Sequence, residues 1–415
     1  MLYEIIIGII FIGIFITSLW LITYINSEKS QRMPIKKYPA ITLLIPAYNE
    51  EKGIEKTIKS VKNQIYPGQI KITVIDDAST DTTLSKIKKH KDINIISLKK
   101  NMGKPAAMNK ALTKTKTEYF GVVDADSKIE KNSVKKAIEK FYETGSAHGA
   151  VISKMQPQNT ENTLIERVQT IEYMMVGFVR YIASKLKILH VTPGVLSIYK
   201  TDVVKSLNGF DEKNLTEDFE LAVRIRKNNH TIGYSEESKV YTTTPDTLSK
   251  LLKQRVRWYR GFFQTHKKHK EIYFRKKFGL FGLYEFPVAM LSILTFIIGL
   301  VILTINITKS IYQTIFMLIY TPDLIYWFEW RGFNELLLSA DYQLLIPLLT
   351  ALTLTFIIIN LTFKFYNIDF MKKNKLKKLT ALTTYILIYN YMYVYVLINS
   401  LYKELTNKKR TWGTK

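Results

Sequence analysis

The chain has 415 residues, 47% of them apolar, and a mean hydropathy of −0.02, too oily for an ordinary soluble enzyme, so membrane segments are expected. Sixty Lys and Arg stand against 35 Asp and Glu, and the resulting charge of +25 suits an anionic lipid surface as well as a nucleic acid. The absence of cysteine excludes a disulfide framework, an iron–sulfur cluster, a thiolate zinc site and a Cys nucleophile. His90, His148, His190, His230, His266 and His269 lack the His-Glu-x-x-His spacing of a metal site and read as surface or satisfied core residues.

Residues 1–28 hold the first candidate span. Ile5–Tyr24 is uncharged and long enough to cross a hydrocarbon core of ~30 Å, and without a basic leader or small-residue cleavage site it reads as a retained anchor. Only Glu4 precedes it, whereas Lys29, Arg32, Lys36 and Lys37 follow. The positive-inside rule therefore puts the N-terminus outside and the next segment in the cytoplasm.

Residues 38–245 alternate short β-rich runs with helical stretches, an α/β pattern with a mostly parallel sheet flanked by helices. Strands are expected at Ile41–Ile45 (ending at Pro46), Ile70–Ile75 (ending at Asp76-Asp77), Ile93–Leu98 and Tyr119–Val123 (ending at Asp124). Helices are expected from near Glu50, Thr80 and Pro105. Polar residues collect after the strand ends, the edge at which open parallel sheets bind ligands, although each alone is equally a turn former. Asp124 and Asp126 stand two residues apart, a spacing that sends both carboxylates to one side of an extended strand end. They repel unless a divalent cation, Mg²⁺ or Mn²⁺, completed by substrate phosphate oxygens, lies between them. Thr216-Glu217-Asp218 opens the helical run Phe219–Asn228, where acids also serve as N-terminal caps.

Residues 246–284 read as amphipathic helices lying on the bilayer. Gln254, Arg257, Trp258 and Gly261 fall at i, i+3, i+4 and i+7 and share one face, with Leu248, Leu252, Tyr259, Phe262 and Phe263 as apolar cover and Lys267, Lys268 and Lys270 suited to headgroups. Phe286–Thr308 and Tyr342–Phe363 then form a transmembrane hairpin within residues 285–365, and Ile311–Trp330 reads as an interfacial segment on the outside. Residues 366–415 bring a basic loop, the tyrosine-rich Leu379–Tyr402 and a basic tail. The Tyr and Asn decoration of Leu379–Tyr402 favours lying in the headgroup region, its length allows a fourth crossing, and both readings stay open.

The strand-end residues occur with Asn101-x-Gly103-Lys104, Thr216-Glu217-Asp218 and Gln254-x-x-Arg257-Trp258 in one order. That ordered set resembles the membrane-embedded family 2 glycosyltransferases with the GT-A nucleotide-sugar fold, in the processive branch of cellulose, chitin, hyaluronan and poly-N-acetylglucosamine synthases. The resemblance implies that Pro46, Tyr48 and Glu50 form a nucleotide-contacting loop, that Asp76 and Asp77 receive the uracil ring and that Lys104 contacts the diphosphate. It implies Asp124 and Asp126 as metal ligands on the donor side and Asp218 as catalytic base within Thr216-Glu217-Asp218. Gln254, Arg257 and Trp258 would shape the acceptor site, with Gln169-Thr170-Ile171-Glu172-Tyr173 and Thr192-Pro193-Gly194 also on its side. Ala78 stands where relatives usually carry Gly, and Trp412-Gly413-Thr414-Lys415 is similar to a gating element, which would make Trp412 a cytoplasmic gate and the tail cytoplasmic.

The implied activity is inverting, processive β-glycosyl transfer from a UDP-sugar, with UDP-N-acetylglucosamine the expected donor and the polymer passed across the cell membrane. The same site also serves the alternative, transfer of one sugar to a lipid or lipid-linked acceptor. Expected partners are the growing glycan, the lipid bilayer and, because the chain has few spans to line a channel, an accessory subunit or second copy. Carboxylates at successive strand ends repel phosphates, so no nucleic acid is expected.

Overall fold

A computed structural model describes residues 2–27, 31–160, 162–320, 342–367 and 375–408. Trp412 and its neighbours, Lys29, Lys372, Lys373 and the 321–341 stretch with Pro322 and Asp323 lie outside the described residues.

The helices are, in chain order, α1 (Leu2–Ile25), α2 (Ile54–Lys62), α3 (Thr83–Lys88), α4 (Lys104–Lys114), α5 (Ser133–Phe141), α6 (Leu164–Lys185), α7 (Thr201–Ser206), α8 (Glu217–Lys227), α9 (Leu248–Lys268), α10 (Phe286–Tyr320), α11 (Tyr342–Phe365), α12 (Lys375–Thr384) and α13 (Asn390–Leu405). The strands are β1 (Ile41–Ala47), β2 (Ile70–Asp76), β3 (Asn94–Ser97), β4 (Tyr119–Val123), β5 (Lys128–Ile129), β6 (His148–Pro157), β7 (Val195–Lys200) and β8 (Thr231–Thr242). The chain divides into two compact units, one of residues 1–26 with 287–368 and one of 27–286 with 369–415.

In the first unit α1 packs along α11, and both carry outward-facing apolar side chains such as Phe15 and Phe356, 61% and 67% exposed. Helices apolar all round suit a lipid environment. Among the described residues four helices are long and apolar enough to cross a membrane: Glu4–Ile25, Phe281–Gln313, Leu345–Phe365 and Lys375–Leu405. α10 runs past the expected span end at Thr308, through Ile311, to Tyr320. No Pro or Gly falls between Gly299 and Pro322 to end the helix sooner.

The second unit is built on an eight-stranded sheet in the order β3-β2-β1-β4-β7-β6-β8-β5. β3, β2, β1 and β4 run parallel, and β7 enters antiparallel to both β4 and β6. All seven residues of β1 are buried, as a continuous apolar run in a parallel sheet requires. β1 extends through Pro46 to Ala47, one residue past the expected proline stop. β4 pairs only with Ile41–Leu44, so Pro46 lies beyond the ladder on that side and its missing N–H leaves no gap there. The core centres on Leu43, Ile45, Ile54, Ile58, Val123, Val134, Ile138 and Ile198, each buried between sheet and helices.

Candidate active site

The register of β1 against β2 puts their two following loops side by side. Ala47 pairs with Asp76, and the Asp77 amide donates to the Ala47 carbonyl at 2.9 Å. Helices α2 and α3 begin three or four residues later than the expected Glu50 and Thr80, because the intervening residues form interlocked turns. The Glu50 amide donates to Thr83 Oγ1 at 2.8 Å, the Thr80 amide donates to Asn49 Oδ1 at 2.8 Å, and Asn49 and Ala78 take left-handed backbone angles of φ 54° and 58°. Ala78 thus occupies the conformation that glycine adopts without steric cost. Tyr48 projects from this rim, 45% exposed.

Asp76 and Asp77 are almost wholly buried, and each has structural duties. The two oxygens of Asp77 accept the amides of Met102 and Gly103, both at 2.8 Å, so Asp77 holds the loop that leads into α4. Burial raises its carboxyl above the usual range, against the pull of those two amides. Asp76 accepts from the Ser79 amide at 3.3 Å and from the Ser97 hydroxyl at 3.4 Å. Gly103, at φ 87°, makes the turn that delivers Lys104 as the first residue of α4.

Lys104 gathers the centre of the site. Its Nζ lies 2.5 Å from Asp124 Oδ1 and 3.5 Å from Glu217 Oε1, joining the end of β4 to the start of α8. Burial alone would lower the ammonium's pKa, but Asp124, then Glu217 and Asp218, raise it well above the ordinary lysine value, so it stays charged. Burial holds the Glu217 carboxyl above its usual range against Lys104, and Asp218 adds to the rise.

Thr192-Pro193-Gly194 closes the group from below. A β-carbon on Gly194 would stand 2.5 Å from Lys104 Nζ and 2.7 Å from Asp124 Oδ1. The Asp124 amide donates to the Gly194 carbonyl at 3.0 Å, while Thr192 Oγ1 donates to the Asp218 carbonyl at 2.8 Å. The segment therefore ties the metal-motif aspartate to the expected base. Asp218 is the second residue of α8, and its Oδ1 accepts the Phe219 amide at 2.8 Å. Thr216 makes no side-chain cap there, whereas Asp218 does accept an amide of the first turn, the duty that the capping reading gave to the acids.

Asp124 and Asp126 do not sit on an extended strand end. β4 stops at Val123, and the Ser127 amide donates back to the Asp124 carbonyl at 3.0 Å, closing a turn with Asp126 inside it. The two-residue strand period thus has no bearing on their directions. Gly53, at the start of α2, packs against that turn so closely that a β-carbon would meet the Ala125 carbonyl at 2.9 Å.

Two carboxylates of hard oxygen fit a Mg²⁺-type cation that takes one or two protein oxygens and fills its remaining positions from phosphate and water. The Lys104 ammonium against Asp124 shows that the position accepts positive charge. Among the described residues no three His, Asp or Glu side chains form a complete protein cage for a metal.

α9 docks directly on the start of α8. Arg257 Nη1 donates to the Leu215 carbonyl at 3.1 Å, Gln264 accepts the Leu215 amide at 3.1 Å, and a β-carbon on Gly261 would overlap Thr216 Oγ1 at 2.1 Å. Arg257 and Gly261 thus bind α9 to Thr216-Glu217-Asp218. Gln254 and Trp258, about two turns and one turn before Gly261 on the same helix, instead meet Arg255, which the helical spacing gave no reason to notice. α12 packs on α6 and α13 on α9, with Glu404 accepting from Arg260 Nε at 2.5 Å and from Gln264 Nε2 at 3.0 Å.

The buried histidines behave as satisfied or stacked core groups. His266 lies between Phe262 and Phe286 with ring centroids 4.0 Å away on each, and its Nδ1 meets the Tyr273 hydroxyl at 2.7 Å.

Residues 42–207 match the family model described as glycosyl transferase family 2. The poly-beta-1,6-N-acetyl-D-glucosamine synthase of Staphylococcus epidermidis is 27% identical over 61% of this chain and 64% of its own length. A protein of the same description from Staphylococcus aureus strain COL is 27% identical over 62% of this chain and 68% of its own. This chain therefore spans just under two thirds of the S. epidermidis relative and just over two thirds of the S. aureus one. The mannosyltransferase PcManGT of Pyrobaculum calidifontis, solved with GDP-Man and Mn²⁺, aligns over 99% of this chain and 100% of its own at a TM-score of 0.55 and 18% identity, which is a likeness of fold. The expected α/β GT-A architecture is borne out.

Proposed function

We propose, on the premise that residues 42–207 form a glycosyl transferase family 2 domain, that this membrane protein transfers a sugar from a UDP-sugar, UDP-N-acetylglucosamine, to a growing β-linked polysaccharide. The observation that carries the reading is the Lys104 ammonium held between Asp124 and Glu217, with Gly194 against Lys104 and Asp124 and Thr192 bonded to Asp218. Charge for a diphosphate and a carboxylate for an acceptor proton thereby meet in one place. The curated relatives described as poly-beta-1,6-N-acetyl-D-glucosamine synthases support the choice of donor and product.

The transfer is a single displacement. The acceptor hydroxyl gives its proton to the Asp218 carboxylate, its oxygen bonds to the anomeric carbon, and the bond from that carbon to the diphosphate oxygen breaks to release UDP. One base and no protein nucleophile give inversion, by the same geometry that makes one-step glycosidases inverting. Lys104 neutralises part of the charge that builds on the leaving diphosphate. Asp124 and Asp126 would hold a divalent cation, Mg²⁺ or Mn²⁺, which when bound supplies further neutralisation of that diphosphate. Tyr48 and the Asp76-Asp77 turn, side by side at the strand ends, would receive the base and ribose of the nucleotide. Gln254 and Trp258 offer the acceptor sugar hydrogen bonds and a ring face.

The basic residues that follow α1 support a cytoplasmic catalytic domain. With α12 and α13 packed along α6 and α9, the reading is of helices on the cytoplasmic face, three crossings and a cytoplasmic tail. The panel of UDP-sugars that releases UDP from purified protein tests the reading. UDP-N-acetylglucosamine should turn over with Mg²⁺ or Mn²⁺ and stop with chelator, and full activity of Asp126→Ala in metal-free buffer would contradict it.

A further inference from the structure

Arg255 follows Gln254 by one residue and so points about 100° away from it around α9, off the polar face that the spacing selects. It is 1% exposed and heads the fully buried side chains by volume. Every part of its guanidinium is engaged. Nε and Nη2 donate to the two oxygens of Glu172 on α6, at 3.2 and 2.6 Å, Nη1 donates to Gln254 Oε1, and the ring of Trp258 lies 4.1 Å from the guanidinium carbon. Glu172 is fixed in turn from the C-terminal helices, for the Tyr389 hydroxyl donates to Oε2 at 2.9 Å and the Tyr393 hydroxyl to Oε1.

We propose that the Glu172–Arg255 pair is a positioning device for the acceptor sugar: one planar cation sets the side chains of Gln254 and Trp258 together, and the α12–α13 arm holds its carboxylate in place through Tyr389 and Tyr393. The proposal rests on the reading of Gln254 and Trp258 as acceptor contacts. A planar guanidinium can take a carboxylate at two points, a third acceptor at its remaining edge and an aromatic ring on its face at once. A lysine ammonium is a point charge and cannot. Side chains fixed before the sugar arrives need not lose their freedom on binding, which keeps the acceptor site tight without a contact from Arg255 to the sugar. Arg255 and Glu172 are therefore positioning residues, and the arm that bears Tyr389 and Tyr393 gains a function beyond covering the domain.

The test is Arg255→Lys, which keeps the charge and removes the geometry, beside the double variant Tyr389→Phe with Tyr393→Phe, which keeps the ion pair. Kinetics are measured with UDP-N-acetylglucosamine and an N-acetylglucosamine oligosaccharide. Trp258 emission is read in a protein whose other tryptophans are replaced by Phe. Arg255→Lys should raise the acceptor KM about tenfold, equivalent to about 1.4 kcal/mol of lost binding, while the donor KM moves less than about twofold. Trp258 emission should shift and become easier to quench with acrylamide. The double variant should move the same two readouts in the same direction by less. A lower melting temperature with both KM values and the emission unchanged would make the pair a strut and overturn the proposal. If the unaltered protein transfers no sugar, the functional reading falls on its own and the emission decides the pair: unchanged emission in Arg255→Lys overturns it, and a shift sustains it.

Discussion

The two sides of the catalytic sheet reach their polar groups by different routes. On the β3-β2-β1-β4 side each group stands at a strand end and finds its partner in a neighbouring loop, as Asp77 does with Gly103 across 26 residues and Asn49 with Thr80 across 31. On the β7-β6-β8 side the partners come from docked helices, Arg255 with Glu172 across 83 residues and Tyr389 with Glu172 across 217. A parallel sheet presents all its carboxyl ends at one edge, so the proposed donor side follows once the strands are placed. Helix docking depends on which faces meet. The proposed acceptor side therefore answers to packing more than to local sequence.

The sharpest way to separate the two sides is at their junction. Asp218→Asn should lower transfer by roughly 10²–10⁴-fold while calorimetry finds UDP affinity retained, since a base touches the acceptor proton and not the uridine. Loss of UDP affinity with activity would move Asp218 to the donor side and break the division.

Next in size is Glu172→Ala, which leaves Arg255 buried without its counter-charge and should cost about 3–5 kcal/mol in urea unfolding. An unchanged midpoint would mean that helix docking contributes little to the acceptor side.

The acceptor side should also be the acid-sensitive one. Burial lowers His148 to about 3, His190 to about 4 and His266 to about 3 from an ordinary 6.5, so each is neutral in the fold and protonates more readily when unfolded. Their stabilisation is fully present above pH 6.5 and is lost as pH falls toward those folded values. Each contributes up to about 2 kcal/mol of loss between pH 6.5 and 5. Urea midpoints at pH 7 and 5 measure it, and equal midpoints would contradict it.

Gly261→Ala places a β-carbon on Thr216 and should destabilise by about 1–3 kcal/mol, with transfer falling more than UDP binding because the shift reaches α8 first. Melting and calorimetry on the one variant read both effects. The smallest change belongs to the donor side: Ala78→Gly relieves a left-handed residue at φ 58°, and after the extra chain entropy of glycine the gain should be about 0.5–1 kcal/mol in thermal unfolding.

Much of the proposed donor side was legible in the sequence because β1 and β4 are largely apolar runs, β2 is rich in Ile and Val, all three are bounded by Asp or Pro, and strand ends of a parallel sheet share an edge. The helix starts were placed three or four residues early, because Asn49 and Ala78 bend left-handed and the intervening polar groups bond across loops rather than along a helix. The directions of Asp124 and Asp126 were drawn from a strand period that a turn replaces. Arg255 escaped because helical spacing records which residues share a face and not how far a long guanidinium reaches. One signal was present: an arginine beside the acceptor face and Glu172 in a helix with apolar residues on either side are two charges that cannot be buried separately. The antiparallel entry of β7, which lets Thr192-Pro193-Gly194 join Asp124 to Asp218, had no local signature.

The central claim is repeated transfer at one site, and the product mass distribution tests it most directly. Purified protein in a lipid extract with excess UDP-N-acetylglucosamine and Mg²⁺ should give a ladder of N-acetylglucosamine oligomers or a high-mass product by mass spectrometry, and the ladder should vanish in Trp258→Ala. One sugar added to a lipid as the sole product, unchanged in Trp258→Ala, would contradict the account.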